Sequence, residues 1–146
     1  PAPLFHELRL FKTEAEIGLM RRAAELTAKG HAAAMRATHP GATEAEIDAL
    51  LEYTFRSGGS TGCAYTNIVA GGTSACILHY VENNAPLVAV ELLLVDAGAE
   101  EPGGYAADVT RTWPVSGRFS PRQRAVYDAV LAAQEASIAV LKAGVR

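Results

Sequence analysis

Asp96 closes the apolar run Glu91-Leu92-Leu93-Leu94-Val95-Asp96-Ala97-Gly98, and Asp108 sits within Gly104-Tyr105-Ala106-Ala107-Asp108-Val109-Thr110-Arg111-Thr112-Trp113-Pro114. Between them Glu100-Glu101-Pro102-Gly103-Gly104 carries a turn signal, so the stretch reads as a β-hairpin. A hairpin centred on Pro102 sets the two aspartates directly opposite each other, with Cβ atoms roughly 4.5–5.5 Å apart, where like charges repel. A bound divalent cation would compensate them, and carboxylate oxygens suit Mn2+, Co2+ or Zn2+. The structural alternative is that Asp96 caps a strand end and Asp108 pairs with Arg111 or Arg118.

Other side chains with chemical potential are less telling. His79 lies in the strand-like run Cys76-Ile77-Leu78-His79-Tyr80-Val81, where a lone histidine is more often packed in a core than bound to a ligand. His6, His31 and His39 form no two-ligand spacing such as H-x-x-x-H. Ala70-Gly71-Gly72-Thr73-Ser74 lacks the Lys-Ser/Thr ending of a phosphate cradle and reads as a turn. Cys63 and Cys76 show no zinc spacing, and buried small apolar roles are expected of them.

Helices and strands must hold these groups. Thr13-Glu14-Ala15-Glu16 has the form of a capping box and opens a helix with Ile17, Met20, Ala24, Thr27 and Ala34 on one face, ending before His39-Pro40-Gly41. Thr43-Glu44-Ala45-Glu46 opens a shorter helix with Ile47, Leu50, Leu51 and Phe55, closed by Ser57-Gly58-Gly59. Two short strands are expected in Tyr65–Ala70 and Cys76–Val81, then hairpin strands near 91–97 and 104–115. Ser120-Pro121-Arg122-Gln123 starts a last helix with Val126, Val130, Ile138 and Leu141 inward, running to Gly144. Consecutive hairpin-linked strands flanked by helices predict an α+β fold, an antiparallel sheet with helices on one face.

At 146 residues and 49% hydrophobic the chain can form one domain with a real core. A formal charge of −3 offers no basic stripe for nucleic acid, and neither a membrane span nor a signal segment is visible, so a soluble, cytoplasmic protein is expected. Pro1-Ala2-Pro3 without an initiator Met and the ending Gly144-Val145-Arg146 suggest a fragment.

Taken together, Tyr65-Thr66-Asn67-Ile68-Val69, Leu78-His79-Tyr80, Val95-Asp96-Ala97-Gly98, Asp108-Val109-Thr110-Arg111-Thr112-Trp113-Pro114, Gly117-Arg118-Phe119-Ser120, Gln123 and Tyr127 resemble the pita-bread metallopeptidases, in the branch of Xaa-Pro aminopeptidases and prolidases. The resemblance runs from near Leu8 to the end, and Thr110-Arg111-Thr112-Trp113-Pro114-Val115 leans toward aminopeptidase P. It implies a curved antiparallel sheet and a two-metal hydrolase in which the ions polarise the scissile carbonyl and activate a bridging water. By position Asp96 looks like the ligand of one metal, Asp108 like the bridge between both, and His79 like the histidine that hydrogen-bonds substrate and steadies the tetrahedral intermediate. Mn2+ is the first choice for the pair, with Co2+ or Zn2+ as alternatives.

Two departures stand out. Val88-Ala89-Val90-Glu91 replaces the Gly-Asp usual before the first aspartate's strand, and the turn between the aspartates is one residue longer than in most relatives, a difference that a bulge can absorb. The family's other ligands, a His and two Glu, belong to the second half of the catalytic domain. Residues 1–146 therefore correspond to its amino-terminal half, with the family's amino-terminal domain also outside the chain, and this half alone is expected to be metal-free or inactive. Its expected partners are proline-containing peptides and either a complementary carboxy-terminal half or a second copy, with no nucleic acid and no membrane. A dipeptide-cleaving prolidase and a non-catalytic peptide-binding relative are the alternatives.

Overall fold

The structure, a computed structural model, describes residues 2–145. They form two compact units that divide after Ser116. The first contains α1 (Ala2–Leu10), α2 (Glu14–Ala37), α3 (Glu44–Ser57), β1 (Gly62–Cys63), β2 (Ile68–Gly71), a 3-10 turn (Gly72–Cys76), β3 (Leu92–Ala97), β4 (Ala99–Glu101), β5 (Tyr105–Ala106) and β6 (Val109–Pro114). The second contains α4 (Pro121–Ala139). Helix α1 has neither a capping signal nor a buried residue, which is why no sequence pattern marked it.

The three expected capping boxes all form. Thr13, Thr43 and Ser120 each accept from the backbone of the residue three positions on, and Glu16, Glu46 and Gln123 each accept from the cap's own backbone N–H. Two orphan donors are satisfied at each start, so the helices begin where the local sequence says. Helix α4 ends at Ala139 instead of reaching Gly144, and Val126, Val130, Ile138 and Leu141 stand exposed where inward positions were expected. Phe119 packs against Tyr127 within its own unit, with ring centroids 4.9 Å apart.

The buried face of α2 comprises Ala23, Leu26, Thr27, Gly30, His31 and Ala34, so the expected Met20 and Ala24 fall outside it. Phe55 explains the shift, because a Cβ at Gly30 would lie 2.4 Å from Phe55 Cε1. The aromatic ring takes the space that glycine leaves, and the interface rotates to match. Phe55 and Leu51 of α3 are fully buried, and each contributes roughly 1.5–3 kcal/mol by leaving water.

Two antiparallel three-stranded sheets follow, in the orders β1-β4-β5 and β2-β3-β6, with α2 against β4 and β5 and α3 against β1 and β2. Leu93, Val95 and Ala97 of β3 bury into the core with Val69, Leu87, Trp113 and Val115, while Leu92, Leu94 and Asp96 occupy the half-exposed face.

No strand forms over Cys76–Val81, contrary to expectation. After the 3-10 turn the chain passes through His79 at φ 55° and Asn83 at φ 43°, conformations that end a pleated strand. The Asn83 side chain takes the place of a neighbouring strand: its Oδ1 accepts from Val69 N–H at 2.9 Å and its Nδ2 donates to the Asn67 carbonyl at 2.9 Å. Buried Glu44 holds the same excursion, accepting from Gly71 N–H, Tyr80 Oη and Ala85 N–H at 2.7–2.9 Å.

At the other end of the unit Tyr105 Oη donates to Glu16 Oε1 at 2.5 Å. That bond, with the Thr13 cap, lowers the Glu16 carboxyl to about 2 from 4.5. A carboxyl depressed on folding stabilises above its unfolded value and loses that contribution as pH falls from about 4.5 toward 2. Tyr105→Phe should therefore flatten the decline of the urea midpoint between pH 5 and pH 3 relative to wild type; an unchanged decline would show that the bond carries no linkage.

Candidate metal centre

Tyr65 projects from the loop between β1 and β2, which is tied down on both sides. Ala64 N–H donates to the Gly98 carbonyl at 2.8 Å, and Asn67 Nδ2 donates to Asp48 of α3 at 2.8 Å. Asp96 is the penultimate residue of β3 and half-buried, while the exposed Asp108 immediately precedes β6. The ladder pairs Asp96 with Thr110, so the hairpin is centred on Gly103 and the aspartates are diagonal neighbours rather than directly opposed. Gly103 and Gly104 take φ of 104° and 82°, which glycine alone adopts freely, and they displace the centre past Pro102.

The carboxylates still converge. Tyr65 Oη lies 2.5 Å from Asp96 Oδ1 and 3.0 Å from Asp108 Oδ1. A phenol has one proton, so it can fully satisfy only one of two carboxylates. Burial first, and then the two hydrogen bonds to Asp96 and Asp108, push the Tyr65 hydroxyl well above its ordinary value, so it remains a donor. What remains is a pair of like charges with one shared proton donor, facing a cavity of about 340 Å³ lined by Tyr65, Thr66, Ile68, His79, Val81, Asp96 and Asp108.

His79 is thus brought to the aspartates, though by a turn rather than a strand, and exposed rather than packed. A non-glycine residue at positive φ lining a cavity is strain of the kind that accompanies functional sites. His6, His31 and His39 do not join this cavity. Cys63 is half-buried, and Cys76 is exposed rather than buried; both are free thiols. Tyr65 joins the candidate site without having been among the expected site residues. Its only sequence signal was its place at the head of Tyr65-Thr66-Asn67-Ile68-Val69, which says nothing of where the hydroxyl points.

The donor set fits part of a divalent-cation site. Two carboxylates offer hard oxygens on one face, and their mutual repulsion is what a cation would relieve. Among the described residues no group of three or more His, Cys, Asp or Glu stands ready to hold a metal, so these two supply only some of the ligands an ion needs.

The model of metallopeptidase family M24 matches residues 18–146. The chain belongs to that family. This M24 chain is 46% identical over 142 residues to the Xaa-Pro aminopeptidase of Haemophilus influenzae and 42% identical over 142 residues to that of Escherichia coli K12. It is covered to 97% in both matches but spans only 33% and 32% of those relatives, about a third of their length. Among solved structures, proline aminopeptidase P II from Yersinia pestis superposes with a TM-score of 0.93 at 46% identity, over 96% of this chain and 32% of that one. Zinc-substituted aminopeptidase P of E. coli in complex with product gives 0.92 at 42% identity, over 96% and 32%. The M24 chain therefore has the α+β pita-bread architecture of aminopeptidase P over the part it spans. Among the described residues no helix is long and apolar enough to cross a membrane.

Proposed function

We propose that this chain is the amino-terminal half of the catalytic domain of a two-metal peptidase that releases the N-terminal residue preceding proline. One observation carries the reading: Asp96 and Asp108 share the hydroxyl of Tyr65 at the wall of a cavity that His79 also lines. When bound, divalent ions, Mn2+ in the first instance, would polarise the scissile carbonyl and lower the pKa of water. Asp96 would help hold one of these ions and Asp108 would help hold both. Tyr65 grips Oδ1 of each carboxylate and leaves the second oxygen of each outside that contact, which orients both groups before any ion arrives. His79, held by its turn, donates to the substrate carbonyl and stabilises the charge that develops on it.

Two aspartates neutralise only part of the charge of two divalent ions. The remaining His and Glu ligands come from the carboxy-terminal half of the domain, so this half alone is inactive. The exposed apolar side chains of α4, Val126 at 60% and Val130 at 64% among them, are read the same way, as a face that the rest of the domain covers.

The test is cleavage of Xaa-Pro-Yaa peptides by the full-length protein with Mn2+. Release of the first residue is expected; cleavage of Xaa-Pro dipeptides alone would make it a prolidase, and no cleavage with no metal bound would make it a non-catalytic relative. His79→Ala separates binding from chemistry. It should lower kcat by about 10²–10³-fold, the cost of losing one charge-stabilising donor, while Mn2+ affinity stays within error. Loss of metal in that variant would reassign His79 as a ligand.

A further inference from the structure

We infer that His31 is a positioning residue: its imidazole, seated behind the last pair of the β3–β6 ladder, fixes the offset between Asp96 and Asp108 and thereby the affinity of the site for its metal ions. The inference rests on the metal reading of the two aspartates. His31 is 4% exposed on a helix face otherwise formed by Ala23, Leu26, Thr27, Gly30 and Ala34, where an aliphatic side chain would pack without polar cost. Its Nε2 lies 3.3 Å from the carbonyl oxygen of Ala97, and since a carbonyl only accepts, Nε2 carries the proton. The other ring nitrogen, Nδ1, is buried with no hydrogen-bond partner among the described residues. Ala97 and Val109 are partners in the ladder, and each directly follows one of the aspartates in the chain.

The ladder is interrupted here. Past Ala97 and Val109 no pair forms at Gly98 and Asp108, and the Gly98 carbonyl turns to Ala64 N–H at 2.8 Å; the same register then resumes with Ala107 N–H on the Ala99 carbonyl at 3.1 Å and Glu100 opposite Ala106. Asp108 lies in that gap, and α2 supports it from below. Thr27, one helical turn before His31 and on the same face, accepts from Ala99 N–H at 2.9 Å, so the two side chains bracket Gly98. Trp113 stands edge-on to the imidazole with centroids 6.5 Å apart and limits its rotation. The ring therefore restrains the backbone directly after Asp96, and through the Ala97–Val109 pair the backbone directly after Asp108.

Mn2+ titration by calorimetry on the full-length protein tests this, with unfolding of the metal-free protein measured separately. His31→Leu should weaken Mn2+ binding by about tenfold or more, the range seen when groups that orient metal ligands are removed. His31→Gln, whose amide can donate to the same carbonyl, should stay within about threefold of wild type. Leu51→Ala, a core lesion in α3, should lower stability and leave the affinity of the folded protein unchanged. Wild-type affinity in His31→Leu, with a stability loss like that of Leu51→Ala, would overturn the inference and leave His31 a packing residue. Should His31→Leu fail to fold, Thr27→Val keeps the shape and removes the acceptor: several-fold weaker binding supports the bracket, and wild-type binding overturns it. Asp108→Asn included in the series keeps the two levels apart, because undiminished Mn2+ binding there would remove the metal reading itself, and this inference with it.

Discussion

Asp108→Asn is expected to lower kcat/KM of the full-length protein by more than about 100-fold, beyond the 10–100-fold cost of removing a group that merely orients a metal ligand. The amide keeps an oxygen for Tyr65 but loses the charge and the second oxygen that a divalent ion needs. The metal-free protein should respond in the opposite sense. Removing one of two like charges that share a single phenolic proton leaves its stability unchanged or raises it by about 0.2–1 kcal/mol. In wild type, Mn2+ at about 100 times its Kd adds roughly 2.7 kcal/mol, and that increment should vanish in the variant. Thermal melts with and without Mn2+ therefore give a paired signature: activity and the Mn2+-dependent rise are lost while the metal-free melting temperature holds or climbs. Full activity, or a metal-free protein destabilised by several kcal/mol, would mean that Asp108 is a structural residue.

Gly98→Ala should be the most destabilising single methyl in the chain, at about 3 kcal/mol or more. An added Cβ would lie 1.7 Å from the carbonyl oxygen of Ala107 and 2.6 Å from its carbon, both backbone atoms that cannot rotate aside. Relief requires the strand before Asp108 to move away from β3, so Mn2+ affinity should fall along with stability. Gly18→Ala is the matched control, for a Cβ there meets nothing within 4 Å and the residue lies within α2. It should stabilise by about 0.5–1 kcal/mol. Urea unfolding of both variants measures the contrast, and a Gly98→Ala loss under about 1 kcal/mol would show that the close approach is not rigid.

What the sequence made legible is what is decided locally. A capping box is settled within four residues, and the starts at Thr13, Thr43 and Ser120 were readable for that reason. The pairing of β3 with β6 was readable too, because an apolar run, a glycine-rich turn and a β-branched run suffice to specify a hairpin. Its register was not, since a one-residue change in the turn moves every partner and depends on which glycines take positive φ. Residues 76–81 look like a strand by composition, but the edge of β2 that such a strand would pair with is occupied by the side chain of Asn83, sixteen residues beyond Asn67. The face of α2 was misjudged by the same limitation. Gly30 and His31 look like surface residues until Phe55 and the Ala97 carbonyl are placed against them.

The site follows the same division. The aspartates and His79 could be picked out by type and by the order of motifs, whereas the group that joins the aspartates, Tyr65 Oη, is defined only by a loop that the Gly98 carbonyl and Asp48 anchor. Exposure was equally invisible: residues 76–81 read as a strand in which a lone histidine is commonly packed, only the family resemblance made His79 a substrate-facing group, and it stands open on a turn.

The most direct measurement is anomalous diffraction at the manganese edge from crystals of the full-length protein grown with Mn2+. Two peaks are expected, with oxygens of Asp96 within about 2.4 Å of one and oxygens of Asp108 within that distance of both. Peaks that lie away from these two carboxylates, or no ordered manganese between them, would contradict the metal reading of this site.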